Sequence, residues 1–559
     1  MKVLSIAVLI FTVAVSVTGC ERRTKEGRLE EFITAHLEKI KPITKQLNLA
    51  YWRAATTGES EDYDEVSRLE LEVRKIYSNR EEFALLGDLK DSGEVRESKL
   101  ARQLDKLYNS YLENQIEPGL LKRIVELGTK IEKNFSTFRG SIDREKVTDN
   151  QIKEILKTEA DSVKREKAWL ASKQVGPVVS ADLIELVKLR NEAAQKVGFD
   201  NFHTLSLTVD EQDVKELDEI FDGLYELTNE PFARVKGDLD RILAAKYGVE
   251  VSELAPWHYH DPFFQESPLV YELDLDAYYK DDDVKELSVR FFKGVGLPVE
   301  SILANSDLYE REGKNPHAFC TDIDREGDVR ILCNLKNNEY WMGTTLHELG
   351  HAVYDKYQDP QVPYLLREPA HIFATEAIAM FFGRLSRNAF WMQQMLGLSG
   401  EQRSEIEKVS GRYTQLQQLI FVRWAMVMYD FEKQLYANPD QDLNSLWWQM
   451  VEKYQFVRKQ ESRNAPDWAA KIHFTIAPCY YHNYVLGELL ASQLHHHIVH
   501  KVLKLESDAG LSYVNRGDVG DFLHKKVFEA GAVYHWNDMI RRATGEPLTP
   551  EYFVGQFVN

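Results

Sequence analysis

Apolar residues recur every three or four positions along most of the chain, which is the spacing of one face of an α-helix. The pattern is clear in three early stretches, at Leu29, Phe32, Ile33, Leu37 and Ile40, at Leu100, Leu104, Leu107, Tyr111 and Leu112, and at Leu120, Ile124, Leu127 and Ile131. The strict alternation of apolar and polar residues that is typical of strands is scarce. The sequence therefore predicts a mainly α fold, built as one large helical body.

The clearest strand-like stretches are residues 317–323 and 329–335, which lie on either side of a short polar run. They predict a β-hairpin with a four-residue loop, Arg325 to Asp328. Such a loop would place Cys320 opposite Cys333. A disulfide between them would contribute about 3 kcal/mol to stability. The alternative is two buried free thiols, because strand geometry often misses the distance that a disulfide requires.

The first twenty residues have the pattern of a bacterial export signal, with an uncharged apolar run from Val3 to Val17. The run ends in Thr18-Gly19-Cys20, which resembles the lipoprotein processing box, in which the cysteine becomes the lipidated first residue. No other stretch approaches the roughly 18 to 20 apolar residues of a spanning helix. We therefore expect an exported, membrane-anchored lipoprotein that faces the periplasm or the cell exterior. An ordinary signal peptide with an accidental cysteine is the alternative.

Nothing after the signal marks a domain boundary. The 17 prolines are dispersed, and there is no Gly/Ser-rich linker and no internal repeat. We expect residues 21–559 to form a single helical domain with two lobes around a cleft.

The formal net charge of −20, without a cluster of Lys and Arg, argues against nucleic acid as a partner.

A candidate metal site is the run His347-Glu348-Leu349-Gly350-His351, which fits the pattern His-Glu-x-x-His. Histidines four positions apart lie on one face of a helix, so both imidazoles can bind one ion. Glu348 would lie beside the ion and face its bound water. A zinc ion lowers the pKa of such a water to about 7, and the glutamate takes the proton as the water attacks a peptide carbonyl. The motif predicts a zinc-dependent peptidase; a helix with two surface histidines is the alternative.

The third zinc ligand must come from elsewhere, because a catalytic zinc has three protein ligands and one open position. Glu376 is a lone carboxylate in the apolar, helix-forming run of residues 374–382. It follows His351 at a distance that lets a second helix return alongside the first. Glu368 is the competing candidate, although it stands in the turn-like Arg367-Glu368-Pro369. We expect Glu376 to complete the set with His347 and His351.

These motifs, in this order, resemble the angiotensin-converting-enzyme-like peptidyl dipeptidases. That family carries His-Glu-Met-Gly-His followed by a His-Glu-Ala-Ile-Gly-Asp helix, which residues 375–380 resemble with Met380 in place of the aspartate. Residues 328–333 resemble its Asp-Phe-Arg-Ile-x-x-Cys stretch, and His317-Ala318 its substrate-aligning strand. The resemblance runs from about residue 165 to residue 493. It implies a large helical zincin-type peptidase with a deep central cleft and a small β-sheet near the active site.

Donors for the tetrahedral oxyanion are expected between residues 470 and 484. Ala-Lys-Ile-His-Phe at the start of this segment resembles the family's Ala-Lys-Phe-His, and Tyr-His-Asn-Tyr at its end resembles Tyr-Ile-Arg-Tyr. An oxyanion needs donors beyond the metal, and His473 and Tyr484 can supply them. Tyr480 and Tyr481 compete with Tyr484 for this role.

The resemblance also implies a pocket for the C-terminal carboxylate of a peptide. Lys471 and Tyr481 would hold the carboxylate, joined by Gln265 if residues 261–265 match the family's Asp-x-Trp-Ala-Gln. The expected reaction is then the release of dipeptides from the C-termini of short peptides. Asn483 stands where the family has an arginine that supports chloride dependence. We therefore expect activity to be nearly indifferent to chloride.

Two other functions remain open at this point. A zinc oligoendopeptidase like thimet oligopeptidase would cut internal bonds without requiring a free C-terminus. A lipoprotein binding module could retain a degenerate peptidase fold, but the intact Glu348 argues against it.

His496 and His500 are four positions apart, yet no nearby acid or cysteine completes a second metal site. Cys479 is interpreted as a packed small hydrophobic residue.

Overall fold

The computed structural model describes residues 24–271 and 274–558. Cys20 and the export signal lie outside the described residues. Within them, helices dominate and the strands form two small antiparallel hairpins, which confirms the prediction of a mainly α protein. No helix in the described part of the chain combines the length and the apolar character needed to cross a membrane.

The N-terminal part consists of helices joined by short turns. They are α1 (Lys25–Thr57), α2 (Ser60–Tyr77), α3 (Arg80–Ser92), α4 (Ser98–Glu113) and α5 (Pro118–Thr137). Their starts follow from the sequence, since Asn79 accepts the backbone N–H groups of Glu81 and Glu82 at the start of α3. Gly58 ends α1 with φ of 74°, a conformation that favours glycine.

The next part begins with a hairpin of β1 (Gly140–Ile142) and β2 (Glu145–Val147). It continues with α6 (Asp149–Thr158), α7 (Ser162–Lys173), α8 (Gly176–Lys196), α9 (Phe202–Val209) and α10 (Val214–Tyr247). Two 3-10 helices, Val251–Glu253 and Pro256–Tyr259, follow, and then α11 (Asp276–Tyr279), α12 (Val284–Gly294) and α13 (Glu300–Asn305). Apolar faces of α7, α8 and α10 contribute to one large hydrophobic core that extends to the last helix.

The second hairpin pairs β3 (Phe319–Asp322) with β4 (Val329–Leu332), as the sequence predicts, but in a different register. Cys320 lies opposite Ile331, and Cys320 and Cys333 are free thiols. The predicted disulfide and four-residue loop are therefore wrong. The loop is longer because the Asp322 carboxylate accepts the backbone N–H of Arg325 at 2.8 Å, which ends the strand pairing early.

The helices that follow the hairpin include those that carry the candidate metal ligands. They are α14 (Glu339–Lys356), α15 (Ile372–Gly383), α16 (Ala389–Leu396), α17 (Gly400–Ala437) and α18 (Leu443–Gln455), with 3-10 helices at Tyr364–Leu366 and Arg384–Arg387. The chain ends with a 3-10 helix (Asp467–Ala470), α19 (His473–Ile476), α20 (His482–His497), a π-helix (Ile498–Val502), α21 (Gly517–Leu523), a π-helix (His524–Phe528), α22 (Trp536–Thr544) and α23 (Glu551–Phe557). Asn338 starts α14 by accepting the N–H of Trp341.

The N-terminal helices lie directly against the second hairpin. Trp52 and Ala55 of α1 pack on Ile323 and Leu332 in a small apolar cluster. The Lys45 ammonium also pairs with the Asp324 carboxylate at 2.9 Å, although an exposed pair of this kind contributes little to stability. The hairpin is thus fixed between α1 on one side and the large core on the other.

Candidate active site

Close packing of α14 against α15 positions the candidate metal ligands. A Cβ atom added at Gly350 would lie 2.6 Å from Cα of Ala379, so only glycine permits this approach. His347 and His351 on α14 consequently face Glu376 on α15. The Oε2 atom of Glu376 is 3.8 Å from Nε2 of His347 and 3.9 Å from Nε2 of His351.

These three side chains could hold a metal ion. One donor atom from each lies within 4.8 Å of the others, and no second group of this kind occurs in the described residues. Burial lowers the pKa of His347 to about 4 and that of His351 to about 3, which keeps both imidazoles in the neutral form that binds metals. Two nitrogens, one carboxylate oxygen and an open face fit a catalytic zinc ion.

The orientation of the two histidines depends on different neighbours. Nδ1 of His351 is 2.7 Å from the Thr375 hydroxyl, a contact that fixes the ring so that Nε2 faces Glu376. Among the described residues, no hydrogen bond reaches the imidazole of His347, and the nearby Met380 offers only a thioether. Met380, which stands where the resembled family has an aspartate, thus supplies no strong hydrogen-bond acceptor to orient the His347 ring.

Glu368, the competing ligand, is engaged elsewhere. Its carboxylate pairs with Lys106 at 2.7 Å and with Arg325 at 2.9 Å. Burial would raise the pKa of Glu368, but the two cations outweigh it and hold that pKa at about 2. Glu368 thus links α4 to the loop of the second hairpin. It lies outside the group of His347, His351 and Glu376.

Glu348 lies beside these ligands and is only 7% exposed. Burial, with a smaller effect from the neighbouring Glu376, raises the pKa of Glu348 to about 8. Burial and the Glu488 carboxylate raise the pKa of Glu376 to about 7. Glu488 itself forms an ion pair of 2.6 Å with Arg384. Three carboxyl groups are therefore gathered in a largely buried site, and a bound divalent cation would favour the charged forms of Glu348 and Glu376.

A cavity of about 520 Å³ opens beside the candidate ligands. Its lining includes His317, Ala318, Thr344, His347, Glu348, Met380 and Gln417. His317 and Ala318 immediately precede β3, so an extended peptide could lie along this segment as a further strand. The cavity therefore leaves His347 and Glu348 accessible from one side.

The three residues predicted to bind a carboxylate lie together. Nζ of Lys471 donates to Oε1 of Gln265 at 2.6 Å, and the ring of Tyr481 lies 5.3 Å from that nitrogen. Trp424 donates its indole N–H to the Tyr481 oxygen at 2.7 Å, which leaves the phenolic hydrogen free to donate. Gln265 is held by its backbone N–H, which donates to the buried Asp261. Together they form a compact cationic and hydrogen-bonding cluster, the candidate carboxylate pocket.

The predicted oxyanion donors adjoin this pocket. The His473 ring lies 5.2 Å from that of Tyr481, and the Tyr484 ring lies 5.5 Å from Tyr481. Burial, together with the Glu376 carboxylate, raises the pKa of both Tyr480 and Tyr484. Tyr481 lies beside the Lys471 ammonium instead, so Tyr484 is the candidate oxyanion donor and Tyr480 its competitor.

Sequence reasoning missed Thr375, Trp424 and Glu488. Thr375 directly precedes the proposed ligand Glu376, so its position was a usable signal. Trp424 and Glu488 reach the site from α17 and α20, and no local pattern in the sequence connects them to it.

Two features read as structural in the sequence have no ligand set around them. The ring centroids of His496 and His500 are 4.3 Å apart with the ring planes tilted by 58°, and His496 also packs on Tyr552. Within the described residues they do not join a group of three possible metal ligands. Cys479 is a free thiol that is only 2% exposed.

Comparison with known proteins places this site in a family context. The model of Peptidase family M3 matches residues 155–558, and the model of angiotensin-converting enzyme matches residues 23–258. Thermostable carboxypeptidase 1 of Pyrococcus furiosus (strain ATCC 43587 / DSM 3638 / JCM 8422 / Vc1) is 24% identical over 272 residues. The match covers 43% of this chain and 51% of the carboxypeptidase, so the chain spans about half the length of that relative.

Both families are zinc metalloenzymes, and the angiotensin-converting-enzyme match confirms the resemblance found in the sequence. The prediction of a zinc metallopeptidase is confirmed at the level of the family. The first of the two matches covers more than half of the chain and includes His347, Glu348, His351 and Glu376. The chain belongs to Peptidase family M3.

Proposed function

We propose that the protein hydrolyses short peptides and releases dipeptides from their free C-termini. The proposal rests mainly on the surroundings of Lys471. Its side chain is nearly buried, at 8% residue exposure, and it forms no ion pair among the described residues, since the Asp261 and Glu266 carboxylates act on it only from a longer distance. Its ammonium points at Gln265 and is surrounded by the rings of Phe263, Trp424 and Tyr481. A buried cation of this kind is matched by an anionic ligand.

The proposed hydrolysis divides the work between the metal ligands, a base and hydrogen-bond donors. Zinc, held by His347, His351 and Glu376, would supply a Lewis acid that polarises a carbonyl and lowers the pKa of water. Glu348 would accept a proton from the attacking water and then pass it to the leaving amine.

On the other side of the scissile bond, His473 and Tyr484 would donate hydrogen bonds to the carbonyl oxygen as it gains negative charge. Lys471, Gln265 and Tyr481 would hold the C-terminal carboxylate and so fix which peptide bond reaches Glu348. The neutral His473, whose pKa burial lowers to about 4, can donate from one nitrogen.

The test is product analysis by mass spectrometry on a ladder of short peptides that have blocked N-termini and differ in length. We expect each free-acid peptide to lose two residues at a time from its C-terminus. The C-terminally amidated ladder should be cut far more slowly. Cleavage at internal bonds, equally fast in both ladders, would contradict the dipeptidase assignment and leave zinc-dependent hydrolysis intact.

An oligoendopeptidase remains the second candidate because of the extent of the cleft. A further cavity of about 630 Å³ shares Arg384, Arg387 and Thr414 with the lining of the catalytic one. Two adjoining cavities of this size would admit a longer peptide than one cavity alone. The same ladder decides the matter, since an oligoendopeptidase would yield fragments longer than two residues from the C-terminal side.

We further propose that the protein is exported and anchored to a membrane through a lipid on Cys20. The proposal rests on the apolar run and the Val17-Thr18-Gly19-Cys20 pattern. Cys20→Ser should move the protein from the membrane fraction to the soluble fraction in a bacterial host. Retention in the membrane fraction would contradict the lipid anchor.

A further inference from the structure

The segment from Lys471 to Tyr484 carries four of the proposed active-site groups but contains little regular structure of its own. Between Lys471 and the start of α20 there is only the four-residue helix α19. Cys479 then adopts φ of 55°, a left-handed conformation that is uncommon for residues other than glycine. A segment of this kind needs contacts from neighbouring elements to keep one conformation.

Arg190 on α8 supplies one of these contacts. The carbonyl oxygens of Ile472 and His473 accept backbone N–H groups from within the segment. The next two carbonyls are bound by the Arg190 guanidinium, which donates to Phe474 at 2.9 Å and to Thr475 at 2.7 Å. Arg190 is 9% exposed and forms no ion pair among the described residues. Its hydrogen bonds therefore go mainly to the backbone beside His473.

Glu432 on α17 supplies a second contact, at the other bend. Its Oε1 atom accepts the backbone N–H of Cys479 at 2.9 Å, directly beside the left-handed turn. Tyr436, one turn further along α17, accepts a hydrogen bond from Arg190 at 3.1 Å. Asn191 holds the Tyr436 carbonyl at 2.8 Å. The two contacts thus belong to one buried network between α8 and α17.

We infer that Arg190 and Glu432 are positioning residues, which set the active-site segment in register with the metal centre. This inference rests on the proposed function. Neither side chain lines the cavity beside His347 and Glu348, and each binds a different part of the segment. Arg190 fixes the backbone that carries His473, whereas Glu432 fixes the turn that precedes Tyr481.

The two residues should consequently affect different kinetic constants. His473 is proposed to act on the oxygen that becomes charged only during reaction, so misplacing it should lower kcat. Displacement of a reacting group by about 1 Å can cost about 100-fold in rate. We expect Arg190→Met to lower kcat by about 10- to 100-fold with KM little changed. Glu432→Leu should mainly raise KM for free-acid peptides, because Tyr481 helps to bind the carboxylate.

Conservative variants separate positioning from stability. Glu432→Gln keeps an oxygen that accepts the Cys479 N–H, so it should restore KM. Arg190→Lys keeps the charge but cannot donate to both carbonyls in a fork, so it should restore kcat only in part. Arg165→Met is a matched control, because Arg165 is also buried and donates to two backbone carbonyls, those of Trp257 and Glu159, far along the chain from the segment.

The deciding experiment is a double-mutant cycle measured on folded enzyme with equal zinc content. If Arg190 acts through His473, Arg190→Met should have little further effect on kcat in the His473→Ala background. Arg165→Met should change kcat by the same factor in both backgrounds. Independent, multiplicative effects of Arg190→Met and His473→Ala would overturn the inference while leaving the proposed function intact.

Hydrogen exchange tests the same inference without relying on catalytic activity. In Arg190→Met, backbone amides of residues 472–480 should exchange hydrogen faster, while amides of α14 and α15 should keep their protection. Unchanged exchange in that segment would contradict the inference whether or not the protein cleaves peptides. Failure of the wild-type protein to cleave any free-acid peptide would instead contradict the proposed function.

Discussion

Replacing Lys471 by methionine should abolish the preference for peptides with a free C-terminus. Lys471 is nearly buried, so a bound carboxylate would pair with an ammonium already removed from most of the solvent. Loss of one partner of a buried charge pair costs about 2 to 5 kcal/mol, which corresponds to roughly 30- to 4000-fold in kcat/KM. Wild-type enzyme should show this ratio between a free-acid peptide and its amide. Methionine keeps the apolar stem between the rings of Phe263 and Trp424.

The assay is kcat/KM for one blocked tripeptide in its free-acid and amidated forms, with wild-type enzyme and Lys471→Met. In the variant the two peptides should be cleaved at nearly equal rates, because free-acid cleavage falls to the level of the amide. Lys173→Met is the matched control, since the Lys173 ammonium is also buried and lies 3.2 Å from the Phe263 ring centroid, but makes no contact with Gln265. The control should keep the ratio. A ratio that survives in Lys471→Met would refute the assigned pocket.

We make three further predictions, on zinc binding, on the pH dependence of kcat/KM and on the effect of chloride. Glu376→Ala should weaken zinc binding by more than the roughly 10- to 100-fold that loss of an outer partner costs, whereas Glu368→Gln should retain zinc after mild chelation. Burial lowers the pKa of Lys471 to about 8, so the ammonium is lost as pH rises through that value, and kcat/KM should fall there for free-acid but not for amidated peptides. Asn483 is fully buried and accepts a hydrogen bond from Gln212, so adding chloride at fixed ionic strength should leave the rate nearly unchanged.

The local features of the fold and site could be read from the sequence because each depends on residues close together in the chain. The helical period and the spacing of His347 and His351 are of this kind. The second hairpin was located correctly, but its register was not. The loop length depended on the Asp322 carboxylate capturing the N–H of Arg325, and this shifted Cys320 away from Cys333.

The supporting contacts could not be predicted because they join distant segments. Trp424 meets Tyr481 across 57 positions, and Arg190 meets Phe474 across 284. Neither tryptophan nor arginine carries a recognisable motif at those positions. The pairing of Gln265 with Lys471 could be predicted only from the resemblance to a known family, because the two residues are 206 positions apart.

The central claim is that His347, His351 and Glu376 bind a zinc ion beside a base, Glu348. The most direct test compares wild-type protein with Glu348→Gln, by measuring zinc content and peptide hydrolysis on the same samples. Both proteins should contain one zinc ion per chain, and the variant should lose nearly all hydrolysis because the ligands remain but the proton acceptor does not. A variant that retains activity within a few-fold of wild type, or a wild-type protein that binds no zinc, would contradict the account.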